Sequence, residues 1–374
     1  MGVLSSLFGK KEKNINAPAP SKNGDATRIP TFHLRGNSDT NGLYPSELVM
    51  LAVAEKYSIT ETQFPSYLTY TYEIANPSKM LKNLQERGFL KIGSPIDALP
   101  KLKLPELKEI AMSLSVAVKG NKSDIISQLS GVDEEQLGKY VAERLWKRTE
   151  NGEAALKANP YIQYFIDKHN YNISDVGVDI WSVNEELVKN PKCSYRDIIY
   201  RQLNNQMNKA SIAIQNDPMS RIANAHKYCE CYRIMGLFVE EEKSYTNATD
   251  LYFQYLFKRI NIEAGLQLLI NYQLFKNDKK YLSNLIMQYY DNIQLYPFHR
   301  TEILRLIDEL DISGSEIRNA LITSFERAGD SGIMSVEEAA DFVILELSGD
   351  IDEAKDLSNR LAKKAVKKPL IKYF

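Results

Sequence analysis

Residues 99–130 read LPKLKLPELKEIAMSLSVAVKGNKSDIISQLS. Leu104, Leu107, Ile110 and Leu114 recur at the three-to-four spacing that lines one stripe of a helix. Ile125, Ile126 and Leu129 make a second stripe. Pro105 suits a first helical turn, where its missing N–H is not needed. Lys119, Gly120, Asn121 and Lys122 separate the two stripes. The stretch therefore predicts two short amphipathic helices that bury a minimal shared core, joined by a polar, cationic segment.

Glu106, Leu107, Lys108, Val116, Val118, Gly120, Lys122, Ile125 and Ile126 give this stretch a pattern that resembles the SAP module, a helix–extended loop–helix unit. The resemblance implies duplex DNA as a partner. The chain departs from that pattern at Ser115, where the family usually has glycine, and near Gln128, where the family often has a basic residue. Independently of the resemblance, a helix that begins around Gly120-Asn121-Lys122-Ser123 presents backbone N–H groups and the positive end of its dipole to a phosphate. Contacts of that kind position a protein on DNA without reading bases. The candidate contacts are Lys101, Lys103, Lys108, Lys119, Gly120, Asn121, Lys122 and Ser123. The alternative is that the lysines are ordinary loop lysines and the helical pair serves packing or a protein contact.

A chain of 374 residues is too long for this one module and predicts two or three folded units. With 44% hydrophobic and 25% charged residues and a net charge of −1, it carries no global basic field, so nucleic-acid binding must come from local patches. No apolar run approaches the roughly 20 residues that span a bilayer, and no membrane span is expected. Three cysteines, Cys193, Cys229 and Cys231, do not make a disulfide framework; the expectation is a cytoplasmic protein.

The first residues, MGVLSSLFGKKEK, match the N-myristoylation pattern through Gly2 and Ser6, and suit equally a docking peptide or a frayed terminus. Residues 1–42 read as a flexible arm, because positions 14–42 are rich in Asn, Pro, Ser, Gly and Asp without apolar periodicity. From Tyr44 a helix is expected, with Ser46 as its N-cap. Asn76-Pro77 opens another helix through Met80, Leu81 and Leu84 that Gly88 stops, followed by a short strand at residues 89–92. That order resembles the last helix and wing of a winged helix-turn-helix, with Lys79, Lys82 and Arg87 as auxiliary DNA contacts. A small helical unit over 43–94 that packs against the 95–130 hairpin is the alternative.

Beyond the hairpin, residues 131–175 are expected to be connecting helices. One starts at the Asp133 capping signal, runs through Leu137, Tyr140, Val141 and Leu145 and ends at Trp146-Lys147-Arg148; a turn at Asn151-Gly152 precedes the next. The aromatics Tyr161, Tyr164 and Phe165 beside Lys168 and His169 read as core. The order of the Tyr44-Pro45 helix, the SAP-like hairpin and the Lys147-Arg148-Thr149-Glu150-Asn151-Gly152 turn is similar to that of SAP-domain proteins encoded by prophages and mobile elements of Gram-positive bacteria. This likeness implies a DNA-linked setting and no active site.

Residues 176–374 are helical in pattern, and a protein partner is expected for this region. Residues 221–239 and a helix from Tyr245, with Ala248 at a close-approach position, resemble one tetratricopeptide unit; the segments that follow do not repeat it, so the expectation is an irregular α-helical domain. Ser335 opens a capped helix, and Asp352 another that ends in a basic tail with Lys363, Lys364, Lys367, Lys368 and Lys372. This tail adds sequence-independent affinity for DNA, or simply complements a helix dipole.

No phosphate-binding loop, dinucleotide fingerprint, nucleophile elbow or zincin motif is present. Helical spacing puts Cys231 on a different face from His226 and Cys229, which argues against a metal site. The whole sequence reads as a mainly α, non-enzymatic DNA-binding protein without a cofactor. Its alternative is a protein-interaction scaffold in which the SAP-like segment is structural.

Overall fold

The computed structural model describes residues 34–167, 173, 175–329 and 332–367, apart from the side chain of Lys279. Helix α1 (Pro45–Val53) lies at the centre of the N-terminal region, with every residue but Ala52 buried. Its N-cap is Tyr44, not Ser46, because Pro45 takes the first helical position and the Glu47 carboxylate accepts from the Tyr44 N–H at 3.0 Å. Residues 35–42 already belong to the fold. The Asn37 N–H donates to Asn184 Oδ1 at 2.8 Å, and Asp39 Oδ1 accepts from Leu43.

After α1 the chain runs extended through residues 57–59 and then forms α2 (Tyr67–Tyr70) and α3 (Pro77–Glu86). Asn76 Oδ1 caps α3 by accepting from the Lys79 N–H, and Gly88, at φ +80°, ends it with a left-handed turn. Strand β1 (Leu90–Ile92) follows, and its partner is distant in sequence. Trp146–Arg148 is a second strand, β2, antiparallel to β1 with Leu90 opposite Arg148 and Ile92 opposite Trp146. The other edge of β2 is met by residues 57–59, through Trp146 N–H to the Tyr57 carbonyl and Ile59 N–H to the Arg144 carbonyl. The expected helix through Leu145 is thus only one short turn, Glu134–Gly138, and its supposed end is a strand. Ladder bonds formed across more than 50 residues outweigh a local period of four.

Asn151-Gly152 is also not a turn. It lies in the first turn of the helix Glu150–Ala158, capped by Thr149 Oγ1. Gly152 presses against β1, and a Cβ there would overlap the Phe89 carbonyl oxygen. This is a close backbone approach that only glycine permits.

The SAP-like stretch is the excursion between β1 and β2. Its ends meet, since the Gly93 N–H donates to the Leu145 carbonyl at 2.8 Å. Within it, Leu104–Ser113 and Lys122–Leu129 are helices, with Leu107, Ala111, Ile125 and Leu129 fully buried against Leu99, Leu137 and Val141. The first stripe is therefore centred on Leu107 and Ala111. Leu104, expected on it, is 36% exposed at the helix start. Ser115 stands at φ +56° and closes the helix with paired bonds from Val116 to Ala111 and from Ser115 to Met112.

The C-terminal region is an array of antiparallel helices. Arg221–Glu240 pairs with a long spine, Tyr245–Lys258, which continues through a π turn (Arg259–Ala264) into Gly265–Phe275. Gly236 lets these two helices approach, since a Cβ there would lie 3.3 Å from the Ala248 carbonyl oxygen. Around the spine pack Lys279–Ile293, Pro297–Glu309, Gly314–Ala328, Val336–Ser348 and Ile351–Ala365. Two neighbouring cations of the spine cap other helices. Lys258 Nζ donates to the Ala328 carbonyl at 3.0 Å, and Arg259 Nη1 and Nη2 donate to the carbonyls of Gln294 and Asn292. Each satisfies carbonyls that a helix end leaves free and places positive charge at the negative end of a dipole.

The chain is mainly α-helical, with one two-stranded sheet among the described residues. No described helix is long and apolar enough to cross a membrane.

Candidate nucleic-acid interface

The loop that joins the two hairpin helices is built by its own side chains. Asn121 Oδ1 accepts from the N–H groups of Ser123 and Asp124 at 2.9 and 3.2 Å, and the Asp124 carboxylate accepts from the Asn121 N–H at 2.8 Å. Gly120, at φ +97°, makes room for that carboxylate, since a Cβ would overlap Asp124. The expected phosphate cradle is therefore largely self-occupied. Two of its donors are bound to Asn121, and a carboxylate sits at the positive end of the dipole.

The lysines of the hairpin divide in two. Lys122 Nζ donates to the Pro100 carbonyl at 2.7 Å, which ties the loop to the turn before the first helix. Lys101, Lys103 and Lys119 are exposed, and Lys108 is half-buried. The Lys119 carbonyl accepts from Gln128 Nε2 at 3.2 Å, so the Gln128 side chain holds the loop. Glu106 and Glu109 on the first helix, with Asp124, offset part of the positive charge.

On α3, Lys79 and Lys82 are exposed on the face opposite the buried Met80, Leu81 and Leu84. Arg87 is committed elsewhere. Its guanidinium donates to the buried Glu47 carboxylate and to the Gly42 carbonyl at 2.8 Å, and lies over the Phe89 ring. Lys363, Lys364 and Lys367 are exposed at the end of Ile351–Ala365, whose opposite face is buried; Lys368 and Lys372 lie outside the described residues, as do Gly2 and Ser6. His226 is exposed and turns to Glu263, while Cys229 and Cys231 are buried in the helix.

Sequence pattern gives no sign of a cleft of about 890 Å³ that lies between the β1–β2 ribbon and the base of the excursion. Lys91, Lys139, Arg144 and Lys147 line it together with Asp97, Glu134 and Glu135. Lys147 Nζ lies 3.5 Å from both Glu55 and Asp97, and Arg144 donates to the Val141 and Glu143 carbonyls. These four cations come from segments up to 56 positions apart, and only the antiparallel pairing brings them together. Comparison with family models, curated proteins and solved structures finds no match to this chain.

Proposed function

We propose that this chain is a non-enzymatic DNA-binding protein in which a winged-helix-like unit and a SAP-like hairpin set into its wing contact the duplex backbone, while the C-terminal helices hold a protein partner. One observation carries the reading. Helix α1, the bridge at Ser58, α2, α3, β1 and β2 follow one another along the chain with β2 between Ser58 and β1, an order that resembles that of a winged helix. In that order α3 is the helix that enters the major groove, and its exposed side carries Lys79 and Lys82. The hairpin, as the enlarged wing, adds Lys101, Lys103 and Lys119. A net charge of −1 fits modest, salt-sensitive binding through these local groups.

The test is a gel-shift titration of the full chain on duplex DNA at several salt concentrations near 100 mM. Lys79→Glu with Lys82→Glu, and separately Lys103→Glu with Lys119→Glu, should each weaken binding and lower the salt slope by about one for every phosphate that is no longer neutralised. Absence of duplex binding, or both double variants binding as the parent does, overturns the reading.

A protein-interaction scaffold is the second reading. Its support is the exposed Leu274, Phe275 and Met287 on the C-terminal helices. It predicts partner binding that the lysine variants leave unchanged.

A further inference from the structure

A cavity of about 540 Å³ opens between Arg221–Glu240, the spine and the start of Pro297–Glu309. That volume falls within the range of small-molecule sites. Its lining includes two polar side chains that are almost wholly buried, Tyr255 at 3% and His299 at 7% exposure. The Tyr255 hydroxyl has no hydrogen-bond partner among the described residues. His299 Nδ1 is 2.8 Å from the Tyr252 hydroxyl, for which it is the only partner among the described residues. Tyr252 therefore donates to Nδ1, and the imidazole proton is assigned to Nε2, which has no protein partner among the described residues. Burial and the nearby Arg259 and Arg233 hold His299 neutral, its pKa lowered to about 4.

Arg233 supplies a third donor. Its Nε and Nη2 both donate to Glu230 Oε2, at 2.9 and 2.6 Å, so that Nη1 is not engaged among the described residues. Glu230 cancels the charge of Arg233 without using all of its hydrogen-bonding capacity. Lys227 and His226 stand on the same wall, against the acid Asp175. Phe298, 54% exposed, lies beside His299 with ring centroids 4.9 Å apart and offers a flat apolar face. Three donors that no described side chain or carbonyl engages, two of them on buried residues, line the cavity next to an aromatic ring, and their complement is a molecule with several acceptor oxygens and a planar ring.

We propose that this cavity binds a small planar-ringed anion of the nucleoside monophosphate class, its phosphate taking the donors of Tyr255, His299 and Arg233 and its ring lying against Phe298. This site is separate from the lysines assigned to DNA and does not depend on that assignment.

The test is isothermal titration of the full chain with the 5′-monophosphates of adenosine, guanosine, cytidine and uridine, with inorganic phosphate and with adenosine. At least one monophosphate should bind with a Kd below about 1 mM, and inorganic phosphate and adenosine at least about tenfold more weakly. Tyr255→Phe keeps the ring and the fold, and should weaken binding about tenfold or more; His299→Gln should do the same. Both variants should shift duplex DNA as the parent chain does. Failure of every monophosphate to bind at about 10 mM overturns the proposal, as does unchanged affinity in Tyr255→Phe, which decides the matter if His299→Gln does not fold. Equal affinity for inorganic phosphate and the monophosphates overturns the assignment of the ring to Phe298.

Discussion

Arg87 donates to Glu47, whose side chain is 1% exposed, and so locks the end of α3 to the first turn of α1. The carboxylate at the other end of this pair also accepts from the Tyr44 N–H, and one acid thereby caps one helix and anchors another.

Arg87→Ala should consequently lower stability by about 3 kcal/mol, because it leaves a buried carboxylate without its cation. Urea unfolding measures this. The salt slope of the proposed DNA binding should stay as it is in this variant, and a reduced slope in a folded variant would make Arg87 one of the proposed DNA contacts.

Ser115→Gly should raise stability by about 1 kcal/mol, since Ser115 holds a left-handed conformation that costs a residue with a Cβ about that much. Thermal unfolding is the measurement. An unchanged or lower Tm would mean that the turn at φ +56° carries no strain.

Gly152→Ala should cost at least about 2 kcal/mol, as the new methyl group must displace the Phe89 carbonyl and with it the end of β1. Hydrogen exchange of the β1–β2 amides should report the loss. Full protection in the variant would show that the strand can give way freely.

Two histidines should respond to pH in opposite senses. His299 is depressed to about 4 by burial and by Arg259 and Arg233, so the unfolded chain takes up its proton first on acidification. Stability from this group is present above about pH 6.5 and is lost as pH falls towards 4, on the order of 3 kcal/mol in full. His226 is raised, chiefly by its hydrogen bond to Glu263, and its contribution is present below about pH 6.5 and lost as pH rises through the raised value. Being largely exposed, it contributes little. Urea midpoints from pH 4 to 8 should show the acid loss, and His299→Gln should remove much of it. An unaltered acid limb in His299→Gln would assign the loss to carboxylates.

Replacing residues 94–144 by a two-residue turn should leave the remainder folded, because the Gly93–Leu145 bond brings the ends of the excursion together. Retained near-ultraviolet circular dichroism and cooperative melting would show it. Loss of cooperativity would make the excursion part of the core.

Much of the helical framework was legible because its signals are local. Asn76-Pro77 and Gly88 bound α3, Ser335 caps Val336–Ser348 with Gly349 at its end, and the stripe at Ile125 and Leu129 faces the hairpin core as expected. The misreadings fell where distant segments compete with local pattern. Trp146-Lys147-Arg148 has a plausible helical context, yet its N–H and carbonyl groups find better partners in residues 57–59 and 90–92. Gly152 looks like a turn glycine and is instead a contact surface for Phe89. The candidate site shows the same division. Which lysines exist is plain in the sequence, but Arg87 and Lys122 are committed to Glu47 and Pro100, and no spacing rule announces that.

The order of amino acids is enough to specify the mainly α class, most helix boundaries, the polarity of the two hairpin helices and the absence of a general basic field. Those properties follow from periodicity, capping and composition, all of which act within a few residues. Folding in three dimensions was needed to place the hairpin as an excursion between paired strands, to gather Lys91, Lys139, Arg144 and Lys147 in one cleft, and to turn Tyr255 and His299 towards one cavity. These arrangements depend on burial and hydrogen bonding between segments far apart in the chain, where the free energy of closing a loop is offset only by contacts that no local pattern encodes.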